Sequence, residues 1–249
     1  MNIKKDIETF AHEYNFSIDQ SDDPSICFLG GKINIIDPKE GFLWDSFYVM
    51  YSLDLSSYYD SSKPASKSYP QILPKVYLLN HDELKIPERH IDSKNKGLCC
   101  LAPNTECQLI LGKNYSLIDF TEKLVKPFFV SQVIFDKTGK WPYGDYKHYT
   151  EGLIEYYSKR LEIYPNQIVS ALEILLEKKV IPRNELCFCG SGKKYKNCHR
   201  NILDNIKYYV NKNYLLNDYN KIRIRPKLKR RRQQLVTKCH ELKVSSFDA

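Results

Sequence analysis

The residues best suited to chemistry are cysteines, and they are not scattered evenly. Cys99 and Cys100 stand side by side in Arg89-His90-Ile91-Asp92-Ser93-Lys94-Asn95-Lys96-Gly97-Leu98-Cys99-Cys100-Leu101, with a histidine ten positions before the second thiol. A thiolate is a strong nucleophile, and its thioester keeps an acyl group reactive toward amines, so one accessible cysteine suffices for acyl transfer. A second group, Cys187, Cys189 and Cys198, closes on His199, while Cys27, Cys107 and Cys239 stand alone. In a reducing compartment such grouping argues for metal binding or catalysis rather than a disulfide framework.

Composition sets the frame. The chain has 249 residues, 42% hydrophobic and 13% aromatic, which suits a protein with a real core. No run approaches the roughly 18 apolar residues of a membrane span, and the N-terminus lacks a signal-peptide pattern. The expectation is a cytoplasmic protein with no membrane association. The net charge of +8 is concentrated past residue 190, above all in Arg223, Arg225, Lys227, Lys229, Arg230, Arg231 and Arg232. Such a tail favours anionic partners, nucleic acid or an acidic protein surface; a solvated tail of generic charge is the competing reading.

The elements that would carry these residues follow from periodicity. Ile3, Ile7, Phe10, Ala11 and Tyr14 have helical spacing, and Asp19 to Pro24 reads as a polar break. Ile26 to Leu29 predicts a short strand ended by Gly30-Gly31, and Ile33 to Ile36 a second one. Phe47, Val49, Tyr51, Leu53 and Leu55 alternate with polar or larger partners, the period of a half-buried strand. Ser56 to Ser68 reads as a loop and Lys75 to Leu79 as a strand. Beyond the cysteines, Leu117, Phe120, Leu124 and Phe128 predict a helix that Pro127 kinks or restarts. Trp141-Pro142-Tyr143-Gly144-Asp145 predicts a turn, Tyr149 to Leu161 a helix, and Ile168 to Leu176 a further helix ended by Pro182 and serving as a strut. Ile202 to Leu216 reads as helical. Periodicity alone gives the class α+β.

The cysteine stretch, with Tyr69-Pro70-Gln71-Ile72-Leu73-Pro74-Lys75-Val76 about twenty residues upstream of His90, resembles the active-site region of ubiquitin-conjugating enzymes. The order of helix, antiparallel meander and irregular cysteine-bearing stretch agrees with that core over roughly residues 1 to 160. By this register Cys100 is the nucleophile and Cys99 fills the apolar position before it, facing the core because neighbours in an extended segment point to opposite sides. The opposite assignment, or a vicinal redox pair, stays open. The family's His-Pro-Asn becomes His90-Ile91-Asp92. His90 reads as a turn-stabilising residue rather than a base. An ionised aspartate cannot donate to an oxyanion, so three readings stand: Asp92 points away, it orients or deprotonates the attacking amine, or ordinary lysine conjugation is not the reaction. The spacing implies an insertion around Asn80 to Arg89.

Arg183-Asn184-Glu185-Leu186-Cys187-Phe188-Cys189-Gly190-Ser191-Gly192-Lys193-Lys194-Tyr195-Lys196-Asn197-Cys198-His199 resembles the small SEC-C zinc module at the C-terminus of the SecA translocation ATPase. The resemblance implies Cys187, Cys189, Cys198 and His199 as a closed tetrahedral set for a structural Zn2+, which activates no water. Lys193, Lys194 and Lys196 would also suit phosphates.

The domain reading is therefore a ubiquitin-conjugating-like domain over 1–163, a helical connector over 164–181, the zinc module over 182–200, and a helix with basic tail over 201–249. The Trp-Pro turn before the Tyr149 helix is similar to bacterial ubiquitin-conjugating-like proteins of antiphage CBASS operons. That resemblance implies a Cys100 thioester with the C-terminal glycine of a cGAS-like nucleotidyltransferase, passed to an amine to prime the synthase. No nucleotide-binding motif is present in the sequence, so either an activating enzyme acts in trans or the protein engages its partner without ATP. Two alternatives stand: a conjugating enzyme for a separate ubiquitin-like protein, and a catalytically silent binding module that uses the zinc knuckle and basic tail.

Overall fold

A computed structural model describes residues 3–37, 39–55, 72–142 and 147–224. The chain divides into two units, Met1–Asp145 and Tyr146–Ala249. Tyr69, Pro70 and Gln71, the Ser56 to Ser68 loop, most of the Trp141 to Asp145 turn, the arginine run past Ile224 and Cys239 lie outside the described residues.

The first unit is an antiparallel sheet with helices against one face. Helix α1 (Ile3–Tyr14) buries Ile7, Phe10 and Ala11, as its spacing predicts. Six strands follow in the spatial order β1-β2-β3-β4-β6-β5: β1 (Ser17–Gln20), β2 (Ile26–Ile36), β3 (Leu43–Asp54), β4 (Lys75–Leu78), β5 (Ile91–Asp92) and β6 (Leu98–Cys99). Odd-numbered residues of β2 and β3 point inward, so Cys27, Leu29, Ile33 and Ile35 meet Phe47, Val49, Tyr51 and Leu53 in a shared buried layer.

Two sequence expectations need correction here. Gly30-Gly31 does not end a strand; β2 runs through it without a break. The glycines answer to close approach, since a Cβ on Gly31 would fall 2.1 Å from the Phe16 ring and one on Gly30 3.1 Å from Ser17 Oγ. The polar break begins only after Gln20, because Ser17 to Gln20 pair with β2 as an exposed edge strand. Polar composition hid it, as backbone bonds to a neighbour need no apolar side chain.

Behind the cysteines lie α2 (Asn104–Leu111), α3 (Leu117–Phe120) and α4 (Lys126–Thr138), with a π turn over Thr121–Val125 joining the last two. Pro127 falls where the helical run is reset, in the first turn of α4 directly after the π turn. A reciprocal Ser116–Asp119 capping box starts α3, and the buried Asp6 carboxylate of α1 accepts the Leu117 amide at 3.1 Å. Aromatic rings fill the space between helices and sheet: Phe10 stacks on Tyr51 at 5.4 Å and Phe129 on Phe47 at 4.4 Å.

The second unit holds α5 (Tyr149–Leu161), α6 (Ile168–Leu175), the cysteine-rich knuckle, α7 (Arg200–Tyr209) and a helix over residues 212–224. The helix read as a connector, α6, lies in this unit with Ile168, Ala171, Leu172 and Leu175 buried. It stops before Pro182, because Glu177 takes the left-handed conformation and the Lys178 amide turns back to the Glu173 carbonyl. The expected helix over Ile202 to Leu216 is two helices: Asn211 interrupts it and its side chain accepts the Asn213 amide, opening the next one. Tyr157 of α5 donates to the buried Asp218 of that last helix at 2.9 Å. No described helix is long and apolar enough to cross a membrane.

Candidate thiol site and metal centre

The segment expected to be irregular before Cys100 is built from short 3-10 turns over Asp82–Leu84, Pro87–Arg89 and Ser93–Asn95, with β5 and β6 between and after them. The insertion around Asn80 to Arg89 occupies the first two turns. Asn80 takes the place of a strand residue: its side-chain oxygen accepts the Tyr48 amide and its nitrogen donates to the Ser46 carbonyl. His81 rests on Phe47 and bonds Glu83 and the Ser46 carbonyl through its two ring nitrogens. Burial opposes its protonated form, but these partners and Asp45 outweigh it and raise its pKa.

Gly97 is required by two facts together. Its φ is +81°, and a Cβ there would stand 2.5 Å from the Leu78 carbonyl oxygen, so β6 can lie against β4 only with glycine at this point. From Gly97 the chain runs through Leu98 and Cys99, which pair with Asp92 and Ile91. Cys99 is 7% exposed, and burial pushes its thiol up to about 12. Cys107, on α2, is buried with its thiol likewise pushed up to about 12. Cys27 is buried too. Cys100 is the exposed thiol among the described cysteines of this unit.

His90 and Cys100 are brought together through the backbone: the Cys100 amide donates to the His90 carbonyl at 2.8 Å. His90 itself is in the left-handed region, and its ring meets Trp141 edge-on at 5.8 Å. Asp92 pairs with Leu98, two positions along the ladder from Cys100. Its carboxylate accepts the Lys94 amide at 3.0 Å and caps the 3-10 turn that follows.

Sequence reading missed the residues that hold this loop down. Arg89, immediately before His90, forms an ion pair with Asp136 and lies 4.5 Å over the Phe135 ring. Gln132, wholly buried on α4, donates to the Arg89 carbonyl at 2.9 Å. No local pattern pairs residues 43 apart, and a lone glutamine in a helical stretch reads as surface.

In the second unit the four expected ligands converge. One ligand atom from each of Cys187, Cys189, Cys198 and His199 lies within 4.8 Å of all the others. His199 Nδ1 is 3.3 Å from Cys187 Sγ and 3.2 Å from Cys198 Sγ, and Cys189 Sγ is 3.6 Å from Cys198 Sγ. A tetrahedral zinc with ordinary bond lengths would separate its thiolates by about 3.8 Å and a thiolate from an imidazole nitrogen by about 3.5 Å, so the donors fit such an ion. Gly190 and Gly192, at φ +74° and +75°, make the tight turn between the first ligand pair and the second.

Two outer contacts tie the ligands to the rest of the unit. His199 Nε2 stands 2.7 Å from the Leu161 carbonyl, which only accepts, so Nε2 carries the proton and Nδ1 keeps its lone pair toward the thiols. Gln167 donates to the Cys189 carbonyl at 2.8 Å. Burial opposes ionisation of Cys189, but hydrogen bonds from the Ser191 side chain and amide, and from Cys198 and Cys187, hold its thiol below the ordinary range. Burial pushes Cys187 the other way.

Comparison with known proteins bears on this part of the chain. A stretch of 37 residues, 15% of the chain, is 54% identical to part of the protein translocase subunit SecA of Borreliella afzelii (strain PKo) and 51% identical to part of that of Borreliella burgdorferi (strain ZS7). The match spans 4% of the length of these relatives. No solved structure matches the chain. Residues 183–201 match the SEC-C motif, a zinc-binding type, and the four converging donors all fall inside that span.

Proposed function

We propose that the chain is a cysteine-dependent acyl-transfer protein of ubiquitin-conjugating type, with Cys100 as the nucleophile and a structural zinc in the second unit. The observation that carries the reading is the contrast among neighbouring thiols: Cys99 and Cys107 are buried with raised pKa, whereas Cys100 is exposed where the sheet gives way to helices. A helix, an antiparallel meander, an exposed cysteine and further helices is the element order expected of a ubiquitin-conjugating-like core.

In this reading Cys100 receives an acyl group already activated by another protein. Its thiolate attacks the carbonyl carbon, the new C–S bond forms, and the donor's thiolate leaves. An amine then attacks the Cys100 thioester, the C–N bond forms, Cys100 departs as thiolate and the amine's proton passes to solvent. His90 shapes the loop through its carbonyl. Asp92 orders the following turn, its carboxylate engaged by the Lys94 amide, which supports the first of its three sequence readings. The acyl group proposed is the C-terminal glycine of a cGAS-like synthase in antiphage CBASS defence, with a separate ubiquitin-like protein as the rival donor. Zinc held by Cys187, Cys189, Cys198 and His199 would supply folding energy and no open position for chemistry.

The second reading, a binding module without catalysis, draws on the SEC-C motif being the matched part of the chain. Intact mass spectrometry after co-expression with each candidate donor and an activating enzyme separates the two. Acyl transfer requires a reductant-sensitive adduct on wild type that becomes a stable ester on Cys100→Ser. No adduct on either form with both donors present overturns it.

A further inference from the structure

We infer that Arg89 and Gln132 are positioning residues for Cys100, through which α4 fixes the backbone that presents the thiol. The inference rests on the acyl-transfer reading of Cys100 and adds to it the means by which the nucleophile is held.

The chain of contacts is continuous. The Cys100 amide donates to the His90 carbonyl at 2.8 Å, so the position of Cys100 follows that of residue 90. Residue 90 is in the left-handed region, a conformation a non-glycine residue keeps only when its surroundings impose it. That conformation closes the Pro87–Arg89 turn, with the His90 amide donating to the Pro87 carbonyl at 2.8 Å, and a two-way clasp then holds the preceding residue in place. Gln132 Nε2 donates to the Arg89 carbonyl at 2.9 Å, and the Arg89 guanidinium returns two longer contacts of 3.4 Å to the Gln132 side-chain and backbone oxygens. The outer end of the guanidinium pairs with Asp136, and its flat face covers Phe135. Phe135 lies 4.4 Å from Trp141, which meets the His90 ring. Residues on successive turns of α4 thus grip the two residues on which the Cys100 amide depends.

Gln132 has no solvent exposure, and a buried amide is costly unless it is bonded. A leucine at this place would fill the same volume without that demand. The presence of an amide here is explained by the Arg89 carbonyl it serves, which would otherwise be left without this donor inside the unit. A planar five-donor fork is equally specific at position 89, where lysine would keep the pairing with Asp136 and lose the contacts to Gln132.

The test uses the full-length protein with Gln132→Met and Arg89→Lys. Three readouts are compared with wild type: thermal melting, amide hydrogen exchange of the peptide holding Cys100, and the iodoacetamide reaction rate of Cys100 against pH, resolved by peptide mass spectrometry. Positioning predicts that Gln132→Met, which removes the bond to the Arg89 carbonyl, raises exchange and alkylation at Cys100 roughly fivefold, the factor one net hydrogen bond supplies. Arg89→Lys, which loses only the longer guanidinium contacts, should melt near wild type and raise both in the same direction by a smaller factor. Peptides of β2 and β3 should exchange as in wild type in the same samples. Should Gln132→Met fail to fold, Arg89→Lys alone decides. Wild-type exchange and a superimposable pH–rate profile at Cys100 in a folded variant overturn the inference, as does a rise spread equally over β2 and β3. The two readings fail separately: absence of any adduct on wild type removes acyl transfer and leaves these measurements unaltered, whereas wild-type labelling removes the positioning role even where adducts form.

Discussion

Adding one methyl group at Gly31 tests whether the glycine pair inside β2 is there for packing rather than for turning. The added Cβ would lie 2.1, 2.4 and 2.5 Å from three carbons of the Phe16 ring. That ring cannot swing aside cheaply, because Phe10 meets it at 5.0 Å, Tyr51 at 5.6 Å and Tyr14 at 6.2 Å. Overpacking of this kind costs about 1–3 kcal/mol, offset by about 0.4–1 kcal/mol from the stiffer unfolded chain. Gly31→Ala should therefore lose about 1–2 kcal/mol. Gly30→Ala meets only Ser17 Oγ at 3.1 Å, an end that can rotate, so it should lie within about 1 kcal/mol of wild type. The assay is urea denaturation followed by tryptophan fluorescence, which reports the first unit alone, since both tryptophans, Trp44 and Trp141, belong to it. The mechanism is specific to one ring, so in a Phe16→Leu background the cost of Gly31→Ala should nearly vanish, a coupling of about 1–2 kcal/mol. Equal stabilities for the two alanine variants, or an undiminished cost in the Phe16→Leu background, would refute the packing argument.

Three further outcomes are expected. Purified protein should hold one zinc per chain by elemental analysis, and Cys198→Ser or a strong chelator should lower the melting of the second unit by several degrees; full protection without metal would contradict the structural role. At neutral pH iodoacetamide should modify Cys100 at least about tenfold faster than Cys99 or Cys107 in the native protein, read peptide by peptide; comparable rates would place the reactive thiol elsewhere. His81 has its pKa raised on folding, so its contribution is fully present below about pH 6.5 and is lost as pH rises through the folded value. The stability gap between wild type and His81→Gln should consequently shrink as pH rises from about 6.5 through the folded value, and a gap that widens would reverse the sign of the argument.

Much of the scaffold was legible because it depends on local spacing. The α1 stripe, the alternation from Phe47 to Leu55 and the Tyr149 to Leu161 helix each carry their own period, and each forms where that period lies. The metal donors were legible through residue identity in a short motif. What escaped depends on partners distant in sequence. Gly30-Gly31 looks like a strand end until Phe16 is known to lie against it. Strand β1 has no apolar alternation because β2 satisfies it through the backbone. Glu177 and Asn211 end helices through backbone conformation and capping, where no proline or glycine marks the place. Around Cys100 the nucleophile candidate was visible, but its support was not: Arg89 and Gln132 are joined only by the fold.

His199 does three things at once: it offers Nδ1 to the thiols, its Nε2–H is taken by the last turn of α5 at Leu161, and its own carbonyl accepts the Leu203 amide in the first turn of α7. Gln167 adds another tie from outside the ligand loop, at Cys189. The portability of the module is limited by these ties. Transplanting residues 183–201 into a foreign chain would carry every ligand across, yet strand the imidazole proton and the Cys189 carbonyl without their Leu161 and Gln167 partners. A minimal graft with the same metal affinity would need the last turn of α5 and the Tyr164–Gln167 turn along with the motif, so the transferable unit begins well before the first cysteine ligand.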